Sequence, residues 1–157
     1  MASTVYLETS IISYLAARHS KDVITAARQQ LTAQWWERRR AAFQLFVSEE
    51  VVREIRYGDA EAVARREGYL RGLSVLGVTR DAIEIARILI DERCMPRDAA
   101  ADALHVAIAT ANGVEYLLTW NCRHIANAQM RTRIERAIRL RGHEPPILCT
   151  PEELPGD

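Results

Sequence analysis

The chain is poor in the features that most directly fix a protein's class. Among its 157 residues are three cysteines, Cys94, Cys122 and Cys149. An odd number without metal-type spacing excludes a disulfide scaffold and a zinc knuckle, and it reads as reduced thiols in a cytosol. No apolar run reaches the roughly 18 residues of a membrane span, and no basic-then-apolar leader precedes the first strand, so neither a membrane anchor nor a secretory signal is expected. Gly68, Gly72 and Gly77 are scattered, and no glycine-rich phosphate loop is formed. Net charge is zero, so no global field draws in a polyanion. Lysine is nearly absent: of 21 basic residues only Lys21 is lysine. A GC-rich genome explains that bias most economically. Arg131, Arg133, Arg136, Arg139 and Arg141 are accompanied in their stretch only by Glu135, which reads as a solvated helix face, with a phosphate-facing patch as the alternative.

What is present is an ordinary globular composition, 48% hydrophobic and 27% charged. The length suits one domain that buries roughly two-thirds of its unfolded surface. We expect that domain over 1–150 and a loose tail over 151–157. Strands are expected at Val5–Leu7, Phe43–Val47, Leu73–Val78, Tyr116–Thr119 and Ile147–Cys149. Between them lie helical patterns. Thr9 or Ser10 caps a short first helix. A long one runs from about Lys21 to Arg40 with Ile24, Ala27, Leu31 and Trp35 as its apolar stripe. Ser48 caps the next, Gly58 ends it, and Asp59 starts another. The helix from Asp81 to Glu92 carries Ala82, Ile85, Ala86, Leu89 and Ile90 at helical spacing. Asp98 is expected to cap a helix that stops at Gly113, and a last long helix follows the fourth strand, with His124 near its start. Strands of this length alternating with helices predict an α/β fold: a three-layer α/β/α sandwich around a central, mostly parallel five-stranded sheet. Ligands of such sheets bind beyond the carboxyl ends of the strands, where strand order reverses.

That edge is where the acids fall. Glu8 follows the first strand, Glu54 lies in the first two turns after the second, and Asp102 opens the helix before the fourth strand. Acids gathered from distant segments repel by about 4 kcal/mol per pair at 4 Å and an effective dielectric of 20, unless a cation sits between them. Such a cluster therefore points to a divalent metal on oxygen ligands. Each residue also has a plainer reading. Glu8 suits a helix start, Glu49 and Glu50 are first-turn charges, and His105 is a packed histidine bonded to a backbone carbonyl. His124 is a weaker candidate for a phosphate contact.

Four segments in order resemble a known family. They are Val5-Tyr6-Leu7-Glu8-Thr9-Ser10, Ser48 with Glu54-Ile55, Asp102-Ala103-Leu104-His105-Val106-Ala107, and Leu117-Leu118-Thr119-Trp120-Asn121. Together they resemble the PIN-domain ribonucleases, and among them the VapC-like toxins of toxin–antitoxin pairs. The resemblance implies a Mg²⁺- or Mn²⁺-dependent endoribonuclease, with Glu8, Glu54 and Asp102 as metal ligands and catalytic residues. It places Asn121 where many members carry a fourth acid. An asparagine there brings no charge but can orient a water through its amide, and Thr119 can bond an acid or a water. Glu8 stands where the family more often has aspartate. The implied mechanism is metal-assisted hydrolysis by an activated water attacking in line.

Two other readings stay open: a non-catalytic PIN-like RNA-binding or regulatory module with a weakened metal site, and a generic doubly wound phosphate binder. The resemblance also implies an antitoxin partner and a homodimer. Trp36, adjacent to Trp35 and therefore about 100° from it around the helix, is the expected interface residue, with packing onto a helix of the same chain as the alternative.

Overall fold

Runs of apolar and aromatic residues that are buried on both faces read as near-continuous hydrophobic strands, and that is how the sheet is built. The computed structural model describes residues 1–154. Its strands are β1 (Ser3–Leu7), β2 (Phe43–Ser48), β3 (Ser74–Leu76), β4 (Tyr116–Leu118) and β5 (Ile147–Cys149). All pair in parallel, in the order β3-β2-β1-β4-β5. β1 is central, with Val5 opposite Leu45 on one side and Tyr116 on the other, and its Val5, Tyr6 and Leu7 are fully buried.

The chain first winds outward from β1 to β3, then returns to β4 and β5 on the other side. Strand order thus reverses between β1 and β4. The helices are α1 (Thr9–Ala16), α2 (Val23–Arg39), α3 (Glu49–Ile55), α4 (Ala60–Leu70), α5 (Arg80–Asp91), α6 (Ala100–Ala111) and α7 (Ala128–Leu140). α1 packs against α2 and α4, while α5 packs along α6 and meets α7. The expected three-layer α/β/α sandwich is what forms. No helix among the described residues is long and apolar enough to cross a membrane.

Local expectations fail where a polar side chain takes a role that hydrophobicity does not announce. Glu8, not Thr9 or Ser10, caps α1, because its carboxylate accepts the Ser10 backbone N–H. In α2 the buried positions are Thr32 and Trp35, whereas Ile24 and Ala27 of the expected stripe are exposed. The helix is turned because the Thr32 hydroxyl receives the indole N–H of Trp120 at 2.7 Å. Asp98 does not cap α6. Pro96 starts a 3-10 turn over Arg97–Ala99, closed by Ala99 N–H to the Pro96 carbonyl, so α6 begins at Ala100 without a side-chain cap. α7 starts at Ala128 with Asn127 as its cap, which leaves His124 in the preceding turn.

Trp36 is half-buried: it packs edge-on against Tyr69 of α4 and lies under Arg40, a contact within the chain that leaves part of the indole exposed. The tail is anchored at least to Leu154, whose carbonyl accepts the Trp35 indole N–H at 2.9 Å, and the rest of it lies outside the described residues. Three of the five arginines read as a solvated helix face are paired: Arg131 with Glu153, Arg139 with Glu135 and Glu144, Arg141 with Glu92.

Candidate active site

The crevice between β1 and β4 is closed by hydrogen bonds across the switch point. Thr119, just past β4, donates its hydroxyl to Oε1 of Glu8, just past β1, at 2.5 Å. Ser10 adds its hydroxyl to the same oxygen at 2.6 Å and its backbone N–H to Oε2 at 3.1 Å. The Ser10 hydroxyl in turn accepts the Trp120 N–H, and Thr119 Oγ1 accepts the Asn121 N–H. Glu8 is 5% exposed. All its donors are neutral, and no cationic side chain pairs with it among the described residues. These donors satisfy the carboxylate's oxygens but bring it no opposite charge.

Glu54, on the last turn of α3, is held differently. Its Oε1 accepts the Thr9 hydroxyl at 2.7 Å and Nε2 of His105. His105 is fully buried, and its Nδ1 lies 2.6 Å from the Tyr6 hydroxyl, itself 2.7 Å from the Ser48 hydroxyl. Ser48 Oγ also caps α3 through the Val51 N–H. Every atom in this chain is satisfied for either charge state of the imidazole. With neutral His105 the hydroxyls donate toward Nδ1; with the cation Nδ1–H donates to Tyr6, which donates to Ser48.

Burial alone would lower the His105 pKa, but the hydrogen bond to Glu54 and the charges of Glu8, Glu54 and Glu50 lift it above the ordinary value. Burial alone would raise the Glu54 carboxyl. The bonds from His105 and Thr9, with the Arg53 charge, outweigh it and hold the group below the usual carboxylate range. Burial pushes the Tyr6 hydroxyl far up, so it remains protonated.

Asp102 lies in the first turn of α6, and its Oδ2 accepts Nδ1–H of His124 at 2.8 Å. The ring is set by Asn121, whose Oδ1 accepts the His124 backbone N–H at 3.0 Å. Asn121 thus caps the turn that carries His124, and Thr119 bonds an acid.

Glu8 and Glu54 are linked through the consecutive residues Glu8-Thr9, and His105 lies one helical turn from Asp102 on α6. Among the described residues no three His, Cys, Asp or Glu side chains converge tightly enough to enclose an ion. Each carboxylate nonetheless keeps an oxygen free or nearly so: no hydrogen bond reaches Oε2 of Glu54 or Oδ1 of Asp102 among the described residues, and one of 3.1 Å reaches Oε2 of Glu8. An all-oxygen, open donor set suits Mg²⁺ or Mn²⁺, which take one or two carboxylates and retain waters.

Glu49 and Glu50 are more than first-turn charges. Oε2 of Glu49 accepts the Val78 N–H, and buried Glu50 pairs with Arg53. Sequence reasoning missed the Tyr6–His105–Ser48 chain. The available signal was a tyrosine in a fully buried strand, whose hydroxyl must find a partner. A groove of about 930 Å³ beside α1, α2 and Tyr69 contains none of these acids.

Comparison with known proteins bears on the fold and the family. No curated protein matches the chain. Among solved structures it is similar to the VapC20 sarcin-ricin loop cleaving toxin of Mycobacterium tuberculosis, at 21% identity and a TM-score of 0.55, covering 73% of this chain and 87% of that one. It is similar to VapBC2 of Rickettsia felis, solved with a DNA fragment from their promoter, at 15% identity and a TM-score of 0.58, covering 94% and 98%. A toxin–antitoxin complex from Klebsiella pneumoniae gives 20% identity and a TM-score of 0.57, covering 81% and 94%. Those likenesses speak to the fold. The PIN domain model matches residues 5–128, most of the length, and the chain therefore belongs to the PIN domain family.

Proposed function

We propose that the protein is a metal-dependent endoribonuclease that acts as the toxin of a toxin–antitoxin pair. The observation that carries this reading is Glu8: a buried carboxylate at the topological switch point of a PIN fold, bonded among the described residues only by neutral donors. Such a group gains from a cation that the chain itself does not supply. Glu8, Glu54 and Asp102 are the residues that would hold Mg²⁺ or Mn²⁺. What the cation supplies when bound is Lewis acidity toward the phosphate and an acidified water. Thr119 and Ser10 fix the rotamer of Glu8, Thr9 and His105 fix that of Glu54, and His124 fixes that of Asp102. The Asn121 amide nitrogen, unbonded among the described residues, would orient water. Pre-set ligands of this kind avoid reorganisation during reaction.

The toxin assignment is supported by the similarity to the VapC20 toxin, to VapBC2 and to a toxin–antitoxin complex. An antitoxin is the expected partner, and a homodimer the expected assembly. Cleavage of a single-stranded RNA in Mg²⁺ or Mn²⁺, abolished by a chelator and restored by adding metal back, tests the activity. Cleavage that persists in the chelator, or RNA binding without cleavage in any divalent cation, would replace it with the non-catalytic reading.

A further inference from the structure

Three arginines converge on one cleft beside the entry to α6. The cleft holds about 760 Å³. Arg93 follows the last turn of α5, Arg97 sits in the 3-10 turn that leads into α6, and Arg133 projects from α7. All three are exposed, and none has a carboxylate within 4 Å among the described residues. This separates them from Arg131, Arg139 and Arg141, which are neutralised by Glu153, Glu135, Glu144 and Glu92. Asp91 also borders the cleft but pairs with none of the three. Beneath the cationic rim, Met95, Pro96 and Met130 form an apolar floor.

The rim is on fixed backbone. Cys94 and Met95 both donate their N–H to the Leu89 carbonyl, and Cys94 Sγ reaches the Arg133 carbonyl at 3.5 Å, joining the end of α5 to α7. Arg93 itself has φ of 56°, a left-handed conformation at a helix end where glycine is the usual residue. It is the single non-glycine residue with positive φ among those described. Arginine at that position carries backbone strain that glycine would relieve, and such strain tends to mark functional positions.

We infer that this cleft binds the phosphate backbone of the RNA strand adjoining the cleavage site. The inference rests on the nuclease reading above and names the surface that holds its substrate. Guanidinium forks match phosphate oxygens in two-point contact. A positively charged groove that tracks the backbone is one part of how single strands are held with little base selectivity. The placement agrees. Arg97 and Asp102 are five residues apart through a 3-10 turn into a helix, about 9 Å along the axis. A strand with its reacting phosphate near Asp102 thus has its neighbours over the arginines.

The test reads binding, not cleavage. A fluorescent, mixed-sequence single-stranded RNA is titrated with the full chain by anisotropy in chelator, over a range of salt. The variants are Arg93→Gly, Arg97→Gln and Arg133→Gln, singly and combined. Arg93→Gly removes charge and strain together, so it remains folded. Each single change weakens binding by several-fold regardless of RNA sequence. The triple variant lowers the slope of log affinity against log salt by about 2, since each lost contact on a single strand contributes about 0.7. A folded triple variant with unchanged affinity and slope overturns the inference. So does an acidic protein as the true occupant: poly-glutamate would then displace the RNA as well as a competitor RNA does. Because chelator prevents any metal-dependent cleavage, failure of the nuclease reading leaves this measurement intact and separately readable.

Discussion

Two carboxylates of the site are each held by a histidine, and the two pairs differ in what stands behind the imidazole. Glu54 is 26% exposed and Asp102 22%, so access to the acids is nearly the same. His105, however, is fully buried and continues through Tyr6 and Ser48 to the first turn of α3, crossing from α6 to β1 to β2. His124 sits on a short turn, and its Nε2 has no partner among the described residues. One acid is tied to the core, the other to a loop. In a buried network the loss of one member strands the others without partners, whereas at a loop the freed group turns to water. The first pair should therefore report on stability and the second on chemistry.

The largest effect expected from that contrast is His105→Ala. It removes one of the two partners of the Tyr6 hydroxyl and one of the two partners of Glu54, and it opens space against a close-packed core, costing about 3 kcal/mol. His124→Ala should cost under about 1 kcal/mol. Urea denaturation of the two variants measures both, and equal losses would mean the supposed anchor is no more structural than the loop pair.

Asp102→Asn comes next and inverts the ranking. The amide oxygen still accepts Nδ1–H of His124, so the fold and the turn survive, but the charge for a cation is gone. RNA cleavage should fall at least about 100-fold, equivalent to about 2.7 kcal/mol of barrier, with stability within about 0.5 kcal/mol of wild type. A variant that cuts at the wild-type rate removes Asp102 from the reaction.

The same contrast has a pH signature. Glu54 is held below its ordinary value by His105 and Thr9. Its contribution is therefore present above the unfolded pKa of about 4.3 and is lost as pH falls through the lower folded value. His105 is raised by Glu54 and the nearby acids. Its contribution is present below the unfolded pKa of about 6.5 and is lost as pH rises through the higher folded value. The pair thus stabilises most between about pH 4.3 and 6.5. Subtracting the stability curve of His105→Gln from that of wild type should leave a dome over this window. A flat difference would mean that the two groups do not titrate together.

How much of this was readable in the residues follows the same divide. Hydrophobic period and glycine stops placed every strand and helix to within a few residues, because burial on both faces of a parallel sheet leaves long apolar runs. The acids after β1 and β2 were placed by the rule that ligands gather at the switch point. What stayed hidden were bonds between residues far apart in the chain. Tyr6 and His105 are separated by 99 positions, and their contact depends on β1 and α6 lying side by side. The rotation of α2 depends likewise on Trp120 reaching Thr32, 88 positions away. Asp98 was misread because Pro96 allows either a helix start or a 3-10 turn, and only packing chooses.

The smallest expected effect concerns Asn121, which sequence reasoning offered as a water-orienting amide and which the fold uses to cap the turn under His124. Asn121→Ala removes the acceptor for the His124 N–H and should cost about 0.5–1 kcal/mol, the usual worth of such a cap. Asn121→Asp keeps that acceptor and adds a charge beside the Asp102–His124 pair. Without metal the added carboxylate should cost a few tenths of a kcal/mol, as an incompletely screened like charge. With Mn²⁺ it should tighten binding, because a fourth acid then shares the cation. Titration calorimetry on Asn121→Asp and wild type reads this directly. Equal Mn²⁺ affinities with the cap cost intact in Asn121→Ala would confine Asn121 to holding the turn. A tighter Asp variant would place position 121 within reach of the metal and make the loop-borne half of the site the adjustable one.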